Sequence, residues 1–364
     1  MEPLRWMLRP AGGGIYTVST GRARQAELQQ RLYGVATPGE VEAAWINDLS
    51  TLSSARGAVL GIPSDVGAGL VRGAAYGPEE LRRAWLALDA RGPRGVPGLR
   101  DVGDVRVVPQ LLHDEMLAPV QVQATRHALY PRDEVPAATA SQLPVSPLSI
   151  AERVIDELLT CNPRLKLLVL GGDHSVAWPV VAALSRHVKE PWGIVHFDAH
   201  TDLLPSRLGI RHCFATWAFH ALALLGDPAR MLQIGIRASG RERGHWESQL
   251  GVRQLWAEEV RARPIPDTVS QVVDHLARTG IEKVYISNDI DGTDALVAPA
   301  TGTPEPAGLA PELVEAVIAA IGARFDILGA DLVEVAPPVG DPDGAARTCA
   351  LGARYLVASA AAML

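Results

Sequence analysis

Six short aliphatic runs constrain this chain more than any other feature: AVLGIP (58–63), LKLLVLGGDH (165–174), WGIVHFDAH (192–200), RMLQIGIR (230–237), KVYISNDID (283–291) and FDILGADLVEV (325–335). Each is apolar at odd and even positions alike, so both faces of the extended chain need cover. That is the signature of strands buried within a parallel sheet, where an antiparallel strand with one wet face would alternate. Stretches with helical period follow them, at 78–89, 149–160, 175–187, 214–225, 267–279 and 311–323. Ser149 and Glu152 have the spacing of a capping box, and Pro311 suits a first helical turn. Strand and helix in alternation define an α/β protein: three layers, α/β/α, around a central, mostly parallel sheet.

The remaining sequence is less regular. Residues 1–56 read as an N-terminal extension outside the main core, carrying a Gly run (Gly12–Gly14), a polar amphipathic stretch from Gln25 to Tyr33, and apolar residues (Trp6, Ile15, Tyr16, Leu32, Tyr33, Trp45) that a solvated tail would not need. Part of it is therefore expected to pack on the core or on a neighbouring subunit. Residues 57–364 read as one α/β domain, with the Pro-rich 91–147 region as long surface loops. The formal net charge of −7, with no basic tract, argues against a nucleic-acid partner. Only Lys166, Lys189 and Lys283 are lysines among 34 basic residues, a bias in coding more than in function. No apolar run reaches the roughly 20 residues of a membrane span. Cys161, Cys213 and Cys349 are too scattered for a disulfide framework or a CxxC metal site, so a reduced, cytoplasmic protein is the expectation.

Ligands of open α/β sheets sit beyond the carboxyl ends of the strands, and polar residues gather there in this chain. LKLLVL is followed by Gly171-Gly172-Asp173-His174, WGIVHF by Asp198-Ala199-His200-Thr201-Asp202, and KVYIS by Asn288-Asp289-Ile290-Asp291. Leaving Asp173 aside, four carboxylates and two imidazoles converge on three strand ends. Carboxylates packed together repel unless they are protonated or share a cation. Mixed carboxylate and imidazole ligation suits Mn, Fe, Ni or Zn. Asp198, His200 and Asp202 alternate, so an extended strand exit can aim all three the same way. Six ligands exceed the need of one open catalytic metal; two ions sharing carboxylates fit better.

These motifs resemble the signatures of the ureohydrolase family, the arginases and agmatinases: GGDHS, HFDAHTD, and SNDIDGTDA followed by APATGTPEPAGL. GIPSDVGAGLVRGAAYGPEELR (61–82) resembles the family's N-terminal strand-loop-helix, and Asp101-Val102-Gly103-Asp104 its DxGD. The resemblance runs from about residue 57 to the C-terminus and implies an arginase-like fold. It also implies roles. His174, Asp198, Asp202 and Asp289 would hold one divalent ion, and Asp198, His200, Asp289 and Asp291 a second, with Asp198 and Asp289 bridging. Manganese is the default and nickel the alternative. Asp202 would orient a hydroxide that attacks the guanidinium carbon. His212, ten residues beyond Asp202 as in agmatinases and guanidino-acid hydrolases, would carry a proton to the leaving amine. Glu334, supported by Asp331, would grip the guanidinium, with Thr303 near the same end of the substrate. Arg207 and Arg211 lie in the intervening loop; a guanidinium facing the pocket would favour a carboxylate over an ammonium at the substrate's far end.

The implied activity is hydrolysis of a guanidino compound to urea and an amine, in a homo-oligomer, a trimer or hexamer. Asn288, Cys213 and Ala307 depart from the family pattern without removing a ligand; Cys213 reads as packing at a helix start. Two alternatives are a catalytically silent member acting as a binding subunit and an arginase-fold deacetylase. The deacetylases use a tandem His-His pair, which this chain lacks.

Overall fold

The computed structural model describes residues 2–15, 20–69 and 71–364; Tyr16, and Leu70 of the 61–82 motif, lie outside the described residues. One nine-stranded sheet runs through the molecule in the order β1-β3-β2-β4-β9-β8-β5-β6-β7. Its strands are β1 (Leu8–Arg9), β2 (Gly57–Ile62), β3 (Leu99–Val105), β4 (Lys166–Gly171), β5 (Trp192–Phe197), β6 (Met231–Ile236), β7 (Arg253–Trp256), β8 (Lys283–Asp289) and β9 (Asp326–Val333). Every pairing is parallel except the short β1 against β3.

The six expected strands are all present. Two-sided burial explains their composition: on β4, Leu167 and Val169 join one buried apolar cluster, while Leu168 and Leu170 join another on the opposite face. Helices Gly77–Leu88, Ala177–His187, Trp217–Leu225, Ile265–Arg278 and Pro311–Arg324 follow the helical stretches of the sequence, and Pro311 stands in a first turn.

Two readings are corrected. The helix expected from Ser149 starts earlier, as Pro147–Cys161, because Pro147 supplies a preformed first turn. Ser149 is therefore not a cap: its Oγ accepts from the Asp114 N–H at 3.0 Å, and Glu152 pairs with Arg186. A true capping box sits at Thr37 and Glu40 instead. The 91–147 region is not all loop, since it holds β3 and the helix Pro119–Leu129.

The N-terminal residues pack on the core, as expected of part of this extension. Leu4, Met7, Leu8, Leu28, Leu32, Trp45 and Leu49 belong to the same buried cluster as β2 and β4. Charge explains how β3 was hidden. Its Asp101 and Asp104 are fully buried against Arg82, which meets Asp101 at 2.8 and 2.9 Å and Asp104 at 2.5 Å. The second oxygen of Asp104 accepts from Gly12 N–H at 2.7 Å, and Trp45 Nε1–H donates to Val102 O at 2.8 Å. The Asp101–Asp104 motif thus clamps the N-terminal segment to the sheet. Removing one partner of such a buried ion group costs about 3–5 kcal/mol.

Candidate metal centre

The four adjacent strands β4, β9, β8 and β5 deliver the strand-end residues to one place. After β4, Gly172 lets the chain pass under the β2 exit; a Cβ there would lie 1.8 Å from Ser64 O. Asp173 caps the turn that follows, accepting from Ser175 N–H, and also accepts from Gly67 N–H. His174 is thereby held with Nε2 3.0 Å from Ser287 Oγ. Ser287 Oγ lies 3.0 and 3.1 Å from the oxygens of Asp331, which can only accept when ionised, so the hydroxyl donates there and accepts from His174 Nε2–H.

That assignment leaves His174 Nδ1 with a bare lone pair. Among the described residues it has no hydrogen-bond partner, yet it lies 3.2 Å from Asp198 Oδ2, 3.2 Å from Asp202 Oδ2 and 3.0 Å from Asp289 Oδ2. A lone pair and three carboxylate oxygens facing one point, all buried, lack only a cation. Beside this group, His200 Nδ1 is 3.4 Å from Asp198 Oδ1 and 3.1 Å from Asp291 Oδ2. Asp198 thus turns one oxygen to each imidazole, as a carboxylate shared between two ions must. The donor set fits a pair of divalent metals.

The ligands are fixed by backbone more than by strand alternation. The strand stops at Phe197, the chain bends at Ala199–His200, and Asp202 takes a left-handed φ of 52°. Extended alternation therefore does not aim Asp198, His200 and Asp202. The bend sends His200 toward Asp291 and Asp202 toward His174, where Trp217 Nε1–H donates to Asp202 at 2.9 Å. Asp289 Oδ1 accepts from Asp291 N–H at 2.9 Å, Asp198 Oδ1 from His200 N–H at 2.6 Å, and Asp291 Oδ1 from Ala199 N–H at 3.2 Å. A left-handed Asp and a left-handed Glu334 (φ 61°) are strained conformations held in place by these contacts.

Burial and neighbouring charges pull the titratable groups of the cluster in opposite directions. Burial opposes the charged imidazole of His174, yet Asp198, Asp202 and Asp289 hold it well above the usual range. Against the same burial, Asp291 and Asp198 push His200 up to about 12. Burial and the neighbouring carboxylates raise Asp202, and Asp289 further; Asp198 lies well below, because His174, His196 and His200 outweigh its burial.

Glu334 follows β9. Its Oε1 accepts from His174 N–H at 2.9 Å, and burial with Asp173 nearby raises it well above the usual carboxylate range. Asp331 does not support Glu334. It lies within the strand, where Tyr285 OH, Ser287 Oγ and Asn288 N–H bond it, and it serves His174 through Ser287. Thr303 Oγ donates to Asp291 Oδ2 at 2.8 Å, so it touches a candidate metal-binding carboxylate directly.

His212 is not part of the carboxylate cluster. It is buried with its ring stacked on Trp178 (centroids 4.6 Å apart), beside His113 and His220. Its Nε2 is 3.8 Å from Glu115 Oε2. Burial together with His113, His220 and Arg211 lowers its pKa to about 3. Cys213 packs at the turn before the helix Trp217–Leu225, its N–H bonded to Thr216 Oγ.

A cavity of about 590 Å³ opens on His200 and Asp202. Arg207, Phe214, Arg241 and Trp246 form part of its wall, and the Arg207 guanidinium lies over the Phe214 ring at 4.9 Å. Arg211 does not line this cavity; it is exposed, and its charge acts on His212 and His220. Concavities of about 640 and 670 Å³ lie elsewhere, and neither touches any of the six candidate ligands.

Sequence reasoning missed His196, Trp217, Ser287 and Gln233, all buried about the cluster. His196 did leave a trace, a lone imidazole within an otherwise apolar two-sided strand.

Fold and site together define a mostly parallel α/β protein with a candidate carboxylate–imidazole centre for two metals at its central strand ends. Residues 55–361 match the model of the arginase family. The chain is 30% identical to the guanidinobutyrase of Pseudomonas aeruginosa, covering 98% of this chain and 94% of that protein. It is 33% identical to the mitochondrial agmatinase of Gallus gallus over 82% of this chain and 78% of that one. Proclavaminate amidinohydrolase from Streptomyces clavuligerus is similar in structure, with a TM-score of 0.65 and 27% identity over 85% of this chain and 94% of that one. The chain belongs to the arginase family, and with it to the hydrolases that act on guanidino compounds.

Proposed function

We propose that this protein binds two divalent ions, manganese by default and nickel as the alternative, and hydrolyses a guanidino acid to urea and an amino acid. The observation that carries the metal reading is the bare Nδ1 of His174 facing three carboxylates, with Asp198 shared toward His200. When bound, such a pair of ions supplies a hydroxide nucleophile near neutral pH. Asp202, fixed by Trp217, would accept a hydrogen bond from the attacking water and orient it toward the guanidinium carbon. Glu334, with one oxygen on His174 N–H, offers the other to the guanidinium. The C–N bond to the chain nitrogen breaks, and the departing amine takes the proton given up by the attacking water, with His212, neutral at physiological pH because of its burial, as the relay between them.

Arg207 on the cavity wall supports a carboxylate at the substrate's far end; an ammonium there would meet a like charge. The guanidinobutyrase relative accords with this reading. We assign the catalytic unit to residues 57–364, with 1–56 as an N-terminal extension built onto it. Self-association as a trimer or hexamer is drawn from the family and is checked by light scattering. A cytoplasmic location is supported by three cysteines, all free, and is checked by fractionation. The substrate test is urea release from 4-guanidinobutyrate, other guanidino acids, arginine and agmatine with Mn²⁺ and Ni²⁺ compared. A preference for guanidino acids supports the reading, and a clear preference for agmatine overturns the carboxylate assignment.

A further inference from the structure

A row of polar side chains crosses the sheet in register directly beneath the candidate ligands. Gln254 on β7 pairs with Gln233 on β6, Gln233 with His196 on β5, His196 with Ser287 on β8, and Ser287 with Asp331 on β9. All five are buried, in strands otherwise filled by aliphatics. The Ser287–Asp331 end already accounts for His174. The other end has no role in the chemistry described so far.

Its hydrogen bonds run in one direction only. Trp256 Nε1–H can only donate, and it lies 2.9 Å from Gln254 Oε1. That fixes the Gln254 amide, whose nitrogen donates to Gln233 Oε1 at 2.8 Å. The Gln233 nitrogen faces Thr201 O at 2.7 Å, a carbonyl that can only accept, and His196 Nδ1 at 2.9 Å. Two groups with no freedom, an indole N–H at one end and a carbonyl at the other, therefore force both amides into a single orientation. His196 Nδ1 must accept, so its proton is on Nε2. Nε2–H then donates to Asp198 Oδ2 at 2.8 Å. A metal on Nε2 would require a proton on Nδ1, where it would collide with the Gln233 N–H. Although His196 is close enough to the His174 group to be a ligand, the amide row excludes that role.

We infer that Trp256, Gln254, Gln233 and His196 form a positioning relay that holds His196 as an Nε2–H donor and fixes the carboxylate plane of Asp198 for the two metals. The inference rests on the dinuclear reading of the site. Partners behind a metal ligand typically change affinity by about 10–100-fold, and here the ligand held is the one turned toward both imidazoles.

Two measurements test it. In the metal-free full-length protein, ¹⁵N-histidine spectra should show His196 protonated on Nε2 only. Gln233→Leu should release that preference; an Nδ1–H tautomer in the wild type would overturn the relay. In Mn²⁺ titrations, His196→Phe should weaken binding by about 10–100-fold, while His196→Gln, which can keep an amide N–H toward Asp198, should restore most of it. Metal-free melting temperatures of the two variants provide the folding control. Wild-type affinity in His196→Phe, or equal loss in both variants with equal melting, would overturn the inference. A wild type that takes up no Mn²⁺ or Ni²⁺ would instead defeat the dinuclear reading, and the tautomer would still decide how the relay is wired.

Discussion

At the strand ends, His174, Asp198 and Asp202 each have a second buried partner behind them: Ser287, His196 and Trp217. Around His212 the neighbours are ring faces, Trp178, His113 and His220, and the exposed carboxylate of Glu115. The first region is held by directional hydrogen bonds at 2.8–3.0 Å. The second is held by stacking on Trp178, which fixes a ring plane; among the described residues His212 Nδ1 has no hydrogen-bond partner. The difference accords with the two proposed tasks. A metal centre gains from ligands that cannot relax away from the ion. A proton carrier needs a ring nitrogen free to take up and release its proton.

The comparison is broken most severely at the rigid end. Asp289→Asn removes charge facing His174 and is expected to abolish urea release and lower metal occupancy, read by elemental analysis. Full occupancy with full activity would refute a bridging role for Asp289. At the soft end, His212→Asn should leave metal content nearly intact while turnover falls by about 10²–10⁴-fold; unchanged turnover would make His212 a bystander. The same variant sharpens the pH behaviour. Because His212 is held at about 3 in the folded chain, it stays neutral while the unfolded chain takes up a proton below pH ~6.5. The stability associated with it is present above that pH and is lost as pH falls toward 3, so the acid unfolding curve of His212→Asn should be shallower.

Smaller effects belong to the entrance. Arg207→Ala should reduce kcat/KM for 4-guanidinobutyrate relative to agmatine by about 10–100-fold, the worth of one charge-assisted hydrogen bond. Arg211→Ala should change that ratio far less, since Arg211 is off the cavity wall. The smallest effect concerns the TGTP loop, where Ala307 holds a φ of 60° that glycine adopts without strain. Ala307→Gly should leave the metal centre untouched and stabilise the protein by roughly 0.5–1 kcal/mol in denaturant unfolding.

The same contrast governs what could be read from sequence. The six strands were legible because burial on both faces writes a continuous aliphatic run, and the ligand motifs because they stop those runs abruptly. β3 was not, because Asp101 and Asp104 look like loop residues until Arg82 arrives from another element to neutralise them. The backbone bend that separates His200 from Asp202 was equally invisible, since a left-handed Asp has no sequence mark. The family resemblance places Asp331 beside Glu334, yet the pairing of β8 with β9 gives it to Ser287. His113 and Glu115 lie about 100 residues from His212, on a separate loop, and only the fold brings them together.

The central claim is that two ions, shared through Asp198, form one working centre. The direct measurement is stepwise reconstitution: the chelated protein is titrated with Mn²⁺, or with Ni²⁺ if that proves the active metal, while bound metal per chain and urea release are read on the same samples. Activity is expected to appear only as the second ion per chain is taken up. Full activity at one ion per chain, or in fully chelated protein, would contradict it.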